Sequence, residues 1–195
     1  MSKDRLTAFT DGVLAIIVTI MVLELRPPHG TGLRELLALW PVFLSYVLSF
    51  VYVAIYWNNH HHFFQLVRRV NGAMLWANLN LLFWLSLIPF TTAWMGENQF
   101  APTPMALYGV SLMMAAIAWT IMQRAIFREQ GAEGVLRRAL GRDLKSKISP
   151  LLYLAGIGLA YVDTRLSGLC YVAVALMWLV PDRRVEAHVK AHAGS

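Results

Sequence analysis

Six apolar stretches, interrupted by short polar connections, fill most of the 195 residues: about Leu6–Leu25, Leu36–Trp57, Ala73–Trp94, Met105–Ile121, Ile148–Val162 and Leu166–Val180. A spanning helix needs about 20 apolar residues, and the first four stretches reach that length. The last two are shorter and are separated by Asp163, Thr164 and Arg165. One helix through all of them would bury two opposite charges at mid-membrane, which is costly, so the pattern predicts two spans joined by a tight polar turn. With 57% hydrophobic and only 14% charged residues, the chain is too apolar for one small soluble core. Disordered chains, disulfide scaffolds and collagen-like fibres are excluded on the same grounds. A single cysteine, Cys170, forms no intrachain disulfide. The expectation is an all-α membrane protein with six transmembrane helices, residues 1–195 forming one six-span domain.

The basic residues orient those spans. Lys3 and Arg5 precede the first, and Arg68 and Arg69 lie between the second and third. Arg124, Arg128, Arg137, Arg138, Arg142, Lys145 and Lys147 lie between the fourth and fifth, and Arg183, Arg184 and Lys190 follow the sixth. On the other side stand only Arg26, Arg34 and Arg165. Cytoplasmic loops carry the excess of Lys and Arg, so six spans with both termini in the cytoplasm fit, in a multi-pass membrane protein. The net charge of +6 then points to anionic lipid headgroups. Nucleic acid is not expected as a partner, because no folded basic module is visible. The first stretch imitates a signal peptide, but Asp11 interrupts it and no small-residue cleavage site follows, so it reads as a retained helix ended by Pro27 and Pro28. Pro41 and Pro89 fall inside the second and third spans and are expected to kink them.

At about 100° per residue, Ile16, Ile20 and Leu23 share one face of the first helix, flanked by Thr19 and Glu24, while Thr10 and Asp11 lie on the far side. A carboxylate inside a span needs a partner. At the depth of Asp11 the second span ends in Trp57-Asn58-Asn59-His60-His61-His62-Phe63, and Asn78 and Asn80 lie two turns into the third. A buried network from Asp11 to Trp57, one histidine and an asparagine is therefore expected, either as glue between helices or as a functional site. Three consecutive histidines point about 100° apart and cannot share one ion, so no metal is expected. No phosphate loop, Ser–His–Asp order or carboxylate pair marks an enzyme.

Arg5, Phe9, Thr10 and Asp11 resemble the Arg-x-x-x-Phe-Ser-Asp motif that opens the first helix in the bacterial branch of the transmembrane protein 175 family, with Thr in place of Ser. The similarity extends through Ile16, Thr19 and Leu23, through Trp57 with His60, His61 and Phe63, and through Asn80-Leu-Leu and Pro89-Phe90-Thr-Thr, covering about the first hundred residues. That resemblance implies a potassium-preferring cation channel, passive and without a cofactor, assembled as a homotetramer in which helix 1 of each subunit lines a central pore. It implies that Ile16, Ile20 and Leu23 form rings that constrict the path, with Thr19 at their flank. It further implies that the Phe-Ser-Asp motif braces helix 1 from behind through Arg5, Phe9, Thr10, Asp11, Trp57, His60, His61 and Asn80. A narrow apolar ring dewets and acts as a barrier to monovalent cations; the Thr-Val-Gly-Tyr-Gly filter sequence does not occur. Glu24 is either a cation attractor at the outer mouth or an ordinary interfacial carboxylate. The alternative reading is a proton-coupled or other secondary transporter using Asp11 with His60 or His61, although no internal repeat of the usual transporter kind is seen.

Overall fold

The computed structural model describes residues 2–65, 67, 69–130 and 144–179. They form eight helices: α1 (Lys3–Leu23), α2 (Leu33–Ala38), α3 (Trp40–Gln65), α4 (Gly72–Ser86), α5 (Ile88–Glu97), α6 (Pro102–Gln130), α7 (Leu144–Leu159) and α8 (Thr164–Leu179). Four helical stretches among the described residues are long and apolar enough to cross a membrane: Lys3–Leu23, Trp40–Gln65, Gly72–Glu97 and Pro102–Glu129. Several basic residues that oriented the spans, Arg68, Arg137, Arg138, Arg142, Arg183, Arg184 and Lys190, lie outside the described residues.

Local chemistry sets the helix ends. Ser2 caps α1, its hydroxyl accepting from the Arg5 N–H, and the Asn71 side chain accepts from the Met74 N–H at the start of α4. Pro89 acts as expected, since Gly72–Glu97 is one apolar stretch broken into α4 and α5 at Leu87. Pro41 does not kink a span. It occupies the second position of α3, where a missing N–H costs nothing, and the short α2 ends just before it. The second span is thereby displaced from the expected Leu36–Trp57 to Trp40–Gln65. Its polar end, expected to leave the helix after Trp57, stays helical: Asn59 Nδ2 donates to the Ile55 carbonyl at 2.9 Å, and His62 Nδ1 lies 2.7 Å from the Asn58 carbonyl oxygen. Between α7 and α8 the helix breaks at the predicted polar turn. Asp163 Oδ1 accepts the Arg165 N–H at 2.8 Å and caps α8. Each of these two helices has 16 residues, about 24 Å at 1.5 Å per residue.

Helices α3 to α6 form the centre of the bundle. α1 packs on α3, α4 and α5, and α7 and α8 pack together on α6 and α3. Lipid gives apolar faces no hydrophobic reason to associate, so close packing and internal hydrogen bonds must hold such a bundle. Ser49 of α3 meets the Thr92 hydroxyl of α5 at 2.6 Å and donates to the Tyr108 hydroxyl of α6 at 3.0 Å. Tyr52 donates to the Tyr171 carbonyl at 2.6 Å, and Tyr171 donates to the Met105 carbonyl at 3.1 Å. The Tyr171 ring occupies a slot between Gly109 and Gly156, where a Cβ on either glycine would land on the ring or its hydroxyl. Gly109→Ala is expected to lower stability by about 1.5 kcal/mol through overpacking, read as thermal unfolding of the full chain in detergent; unchanged stability would mean the slot has slack.

Candidate functional site

α1 has one face committed to its own chain. Leu6, Thr10, Leu14, Ile17 and Met21 are buried at the helical spacing of three and four. A ridge about 110° round the helix carries Phe9, Ile16, Ile20 and Leu23, all exposed, with Ile16 at 60% and Leu23 at 71%. Beside this ridge runs a second exposed strip, Ala8, Gly12, Ala15 and Thr19, made of small side chains. The Thr19 hydroxyl donates back to the Ala15 carbonyl at 2.8 Å, satisfying its proton within the helix and leaving its oxygen outward. Glu24, half-buried, ends α1, and its backbone N–H reaches the Ile20 carbonyl at 3.2 Å.

The expected single network is two separate ties. The first is buried and runs across three helices. His60 Nε2 and Asn78 Oδ1 are 3.0 Å apart, Asn78 Nδ2 donates to Thr10 Oγ1 at 2.9 Å, and Thr10 Oγ1 donates to the Leu6 carbonyl at 3.1 Å. Because the Asn78 amide nitrogen faces Thr10, its oxygen must accept from His60, which puts a proton on Nε2. His60 also stacks on Phe64, centroids 4.3 Å apart and planes 21° apart. The second tie is exposed in the protomer, where Trp57 Nε1 donates to Asp11 Oδ1 at 3.0 Å.

This geometry corrects several expectations. Asp11 is exposed rather than buried, and the histidine joins Thr10 through Asn78 instead of meeting the carboxylate. Asp11 lies at the rim of the packed face, which is centred on Thr10. Asn80 is not in the tie; it is half-buried in a cleft between α4 and α6 with Asn71 and Arg128. Two residues apart on a helix means about 200° of rotation, so Asn78 and Asn80 face opposite ways. Phe9 and Arg5 are exposed, and Phe9 belongs to the outward ridge with Ile16 rather than to the brace. The three histidines have three different partners: His61 bonds Gln65 at 2.9 Å and stacks on Trp57, and His62 meets the Asn58 carbonyl. His188 and His192 lie outside the described residues. The hydroxyl common to Ser and Thr is the atom that accepts from Asn78, which gives the departure from the family motif at Thr10 a physical basis.

Asn78→Leu is expected to lower the unfolding free energy by about 2–3 kcal/mol. Thr10 keeps its bond to Leu6, but the buried His60 N–H loses its acceptor, and that orphaned donor is the larger cost. Over a chain of this size the shift is about 8 °C in Tm. His61→Ala and His62→Ala should each stay within about 0.5 kcal/mol of wild type. Equal losses at all three histidines would contradict their separation.

Comparison with known proteins adds a second line. A family model described as endosomal/lysosomal potassium channel TMEM175 matches residues 5–89. A potassium channel of Chryseobacterium sp. is 50% identical over 190 residues, 97% of this chain and 99% of that protein. The endosomal/lysosomal proton channel TMEM175 of Homo sapiens is 32% identical over 116 residues, 53% of this chain but 23% of that one. The crystal structure of a lysosomal potassium-selective channel TMEM175 homolog from Chamaesiphon minutus superposes with a TM-score of 0.76 at 29% identity, covering 92% of this chain and 97% of that chain.

Proposed function

The chain belongs to the TMEM175 family, and from that premise we propose that it is a potassium-preferring cation channel, working as a homotetramer in which four copies of α1 surround the ion path. Each subunit is one six-span unit over residues 1–195 with both termini in the cytoplasm, α7 and α8 forming the last two spans, in a bacterial inner membrane. The permeant ion is potassium and no cofactor takes part.

The observation that carries this reading is the mixed character of α1's exposed face. An apolar ridge alone suits lipid. Here the exposed surface of α1 also carries Thr19 beside the ridge and, on the flank away from the ridge, the carboxylate Asp11. A carboxylate within a spanning helix does not face hydrocarbon, so the flank with Asp11 and the small-residue strip beside it are turned toward protein or water. The strip of Ala8, Gly12, Ala15 and Thr19 permits close approach of a neighbouring helix, and the ridge of Ile16, Ile20 and Leu23 then projects to the axis. Such rings oppose ion passage until they widen or wet, so they serve as the gate. The tie through Thr10, Asn78 and His60 holds the rotation of α1 against α3 and α4, and Asp11 with Trp57 holds its rim.

The purified full chain in liposomes is expected to pass potassium down its gradient without a coupled ion, and to run as a tetramer in detergent. Flux that stops when a proton gradient is collapsed, or a monomeric mass in every detergent, would overturn the reading.

A further inference from the structure

The start of α4 meets the end of α6, where Asn71 Nδ2 donates to Glu129 Oε2 at 2.6 Å. From that point an open cleft of about 550 Å3 runs inward between the two helices. Small side chains make its walls, Ala73 and Ala77 on α4 and Ala125 on α6. Trp76, 75% exposed, stands at its edge.

The two ends of the cleft differ. Its mouth is basic: Arg128 lines it, Arg124 lies one turn earlier on the same side of α6, and Arg69 precedes Asn71 by two residues. All three are exposed and none has a carboxylate partner among the described residues. Against them in the cleft stands Glu129, which Asn71 already holds. The inner end carries Asn80, about 12 Å along α4 from Gly72 at 1.5 Å per residue. Its amide is half-buried, lines the cleft, and has no hydrogen-bond partner among the described residues. Gly72–Glu97 is a spanning stretch, and an amide at that depth has little water to turn to, so leaving it unmet is costly.

We propose that this cleft binds one anionic phospholipid, with its phosphate against Arg128 and Arg124 and an ester carbonyl accepting from the Asn80 amide. The order of groups along the cleft is the order along the lipid, charge at the surface and ester beneath it. The glycerol passes over Ala73 and Ala77, whose small side chains leave room for it, and the acyl chains leave past Asn80 into the bilayer. Basic pockets between membrane helices suit such headgroups, and Trp76 takes the level between headgroup and hydrocarbon where indoles concentrate. A free phosphate would satisfy the arginines but leave Asn80 unmet, which commits the site to a lipid.

The test is native mass spectrometry of the full chain in neutral detergent, titrated with dioleoyl phosphatidylglycerol or dioleoyl phosphatidylcholine. Both are expected to bind saturably, the anionic lipid about five-fold more tightly, the effect of one basic residue on an anionic headgroup. Arg128→Gln should remove that preference. Lys147→Gln, which removes the same charge from an exposed position on α7, should keep it. Asn80→Leu should weaken both lipids about five-fold, the effect of one hydrogen bond to an ester that both carry, with the preference intact. Helicity verifies the fold of each variant. Equal effects of Arg128→Gln and Lys147→Gln, unchanged affinity in Asn80→Leu, or displacement of the lipid by glycerol phosphate overturns the proposal. None of these results bears on ion flux, so this site and the channel reading fail separately.

Discussion

Gly12→Leu is expected to leave the protomer folded and to abolish the tetramer. Inside the protomer nothing lies within 4 Å of a Cβ built on Gly12, and a leucine there improves helix propensity by up to about 1 kcal/mol. Chain folding therefore gives no reason for a glycine at that position. The four-helix packing proposed for α1 does, because the strip of Ala8, Gly12, Ala15 and Thr19 is the narrowest part of the helix and a bulky side chain would push neighbouring copies apart. Gly158 of α7 supplies the control. It too is exposed and has nothing within 4 Å of an added Cβ, but it belongs to a helix that would face lipid, so Gly158→Leu should keep the assembly. The measurement is particle mass in detergent beside helicity. A tetramer that survives Gly12→Leu would remove α1 from the subunit interface.

How far the residues disclose this arrangement depends on contrast. In α1 contrast exists: Thr10, Asp11 and Thr19 interrupt a bulky apolar background, and the wheel separates Ile16 from Thr10 without a structure. It fails by one step at Asp11, where the charge draws attention to a residue at the rim of the packed face while the neighbouring Thr10 stands at its centre. In α4 contrast nearly vanishes. Met74, Ala77, Asn78, Leu81, Leu82 and Leu85 are buried, a helical stripe, but the opposite face carries Trp76, Leu79 and Phe83, which are as apolar because their surroundings in a membrane are lipid. With both faces greasy, Asn78 and Asn80 look alike, and the stripe through Met74 and Leu81 is the only signal that selects Asn78.

The second span shows a different limit. Hydropathy finds where a chain prefers lipid, not where a helix ends. The run Asn58-Asn59-His60-His61-His62 reads as a polar loop, yet it completes two more turns of α3, carrying His60 back to the buried Asn78. Its start is misplaced for the converse reason, since Leu36 and Leu37 are apolar but lie before the break that Pro41 imposes. The break between α7 and α8 was legible because two opposite charges within three residues are costly in any spanning helix.

The assignment of the gate rests on register, and adjacent isoleucines expose it. Ile16 is 60% exposed and Ile17 is buried against α1's neighbours, a separation produced by a single 100° step. Ile16→Asn leaves the buried face untouched, so the protein should assemble normally. A polar ring at a dewetted constriction holds water and lowers the barrier to a partly hydrated cation. Potassium flux should rise about ten-fold, equivalent to about 1.4 kcal/mol from the barrier, and the preference over sodium should fall, because a wet ring asks less dehydration of either ion. Ile17→Asn should do the opposite, placing an unpartnered amide among Leu14 and Met21, lowering Tm and yield without opening the path. A lipid-facing ridge predicts a different pair of results: Ile16→Asn would then cost stability by exposing an amide to acyl chains, and flux would stay at the wild-type level. Liposome flux and thermal unfolding on the same two variants separate these cases, since only a pore position changes conduction while leaving the fold alone.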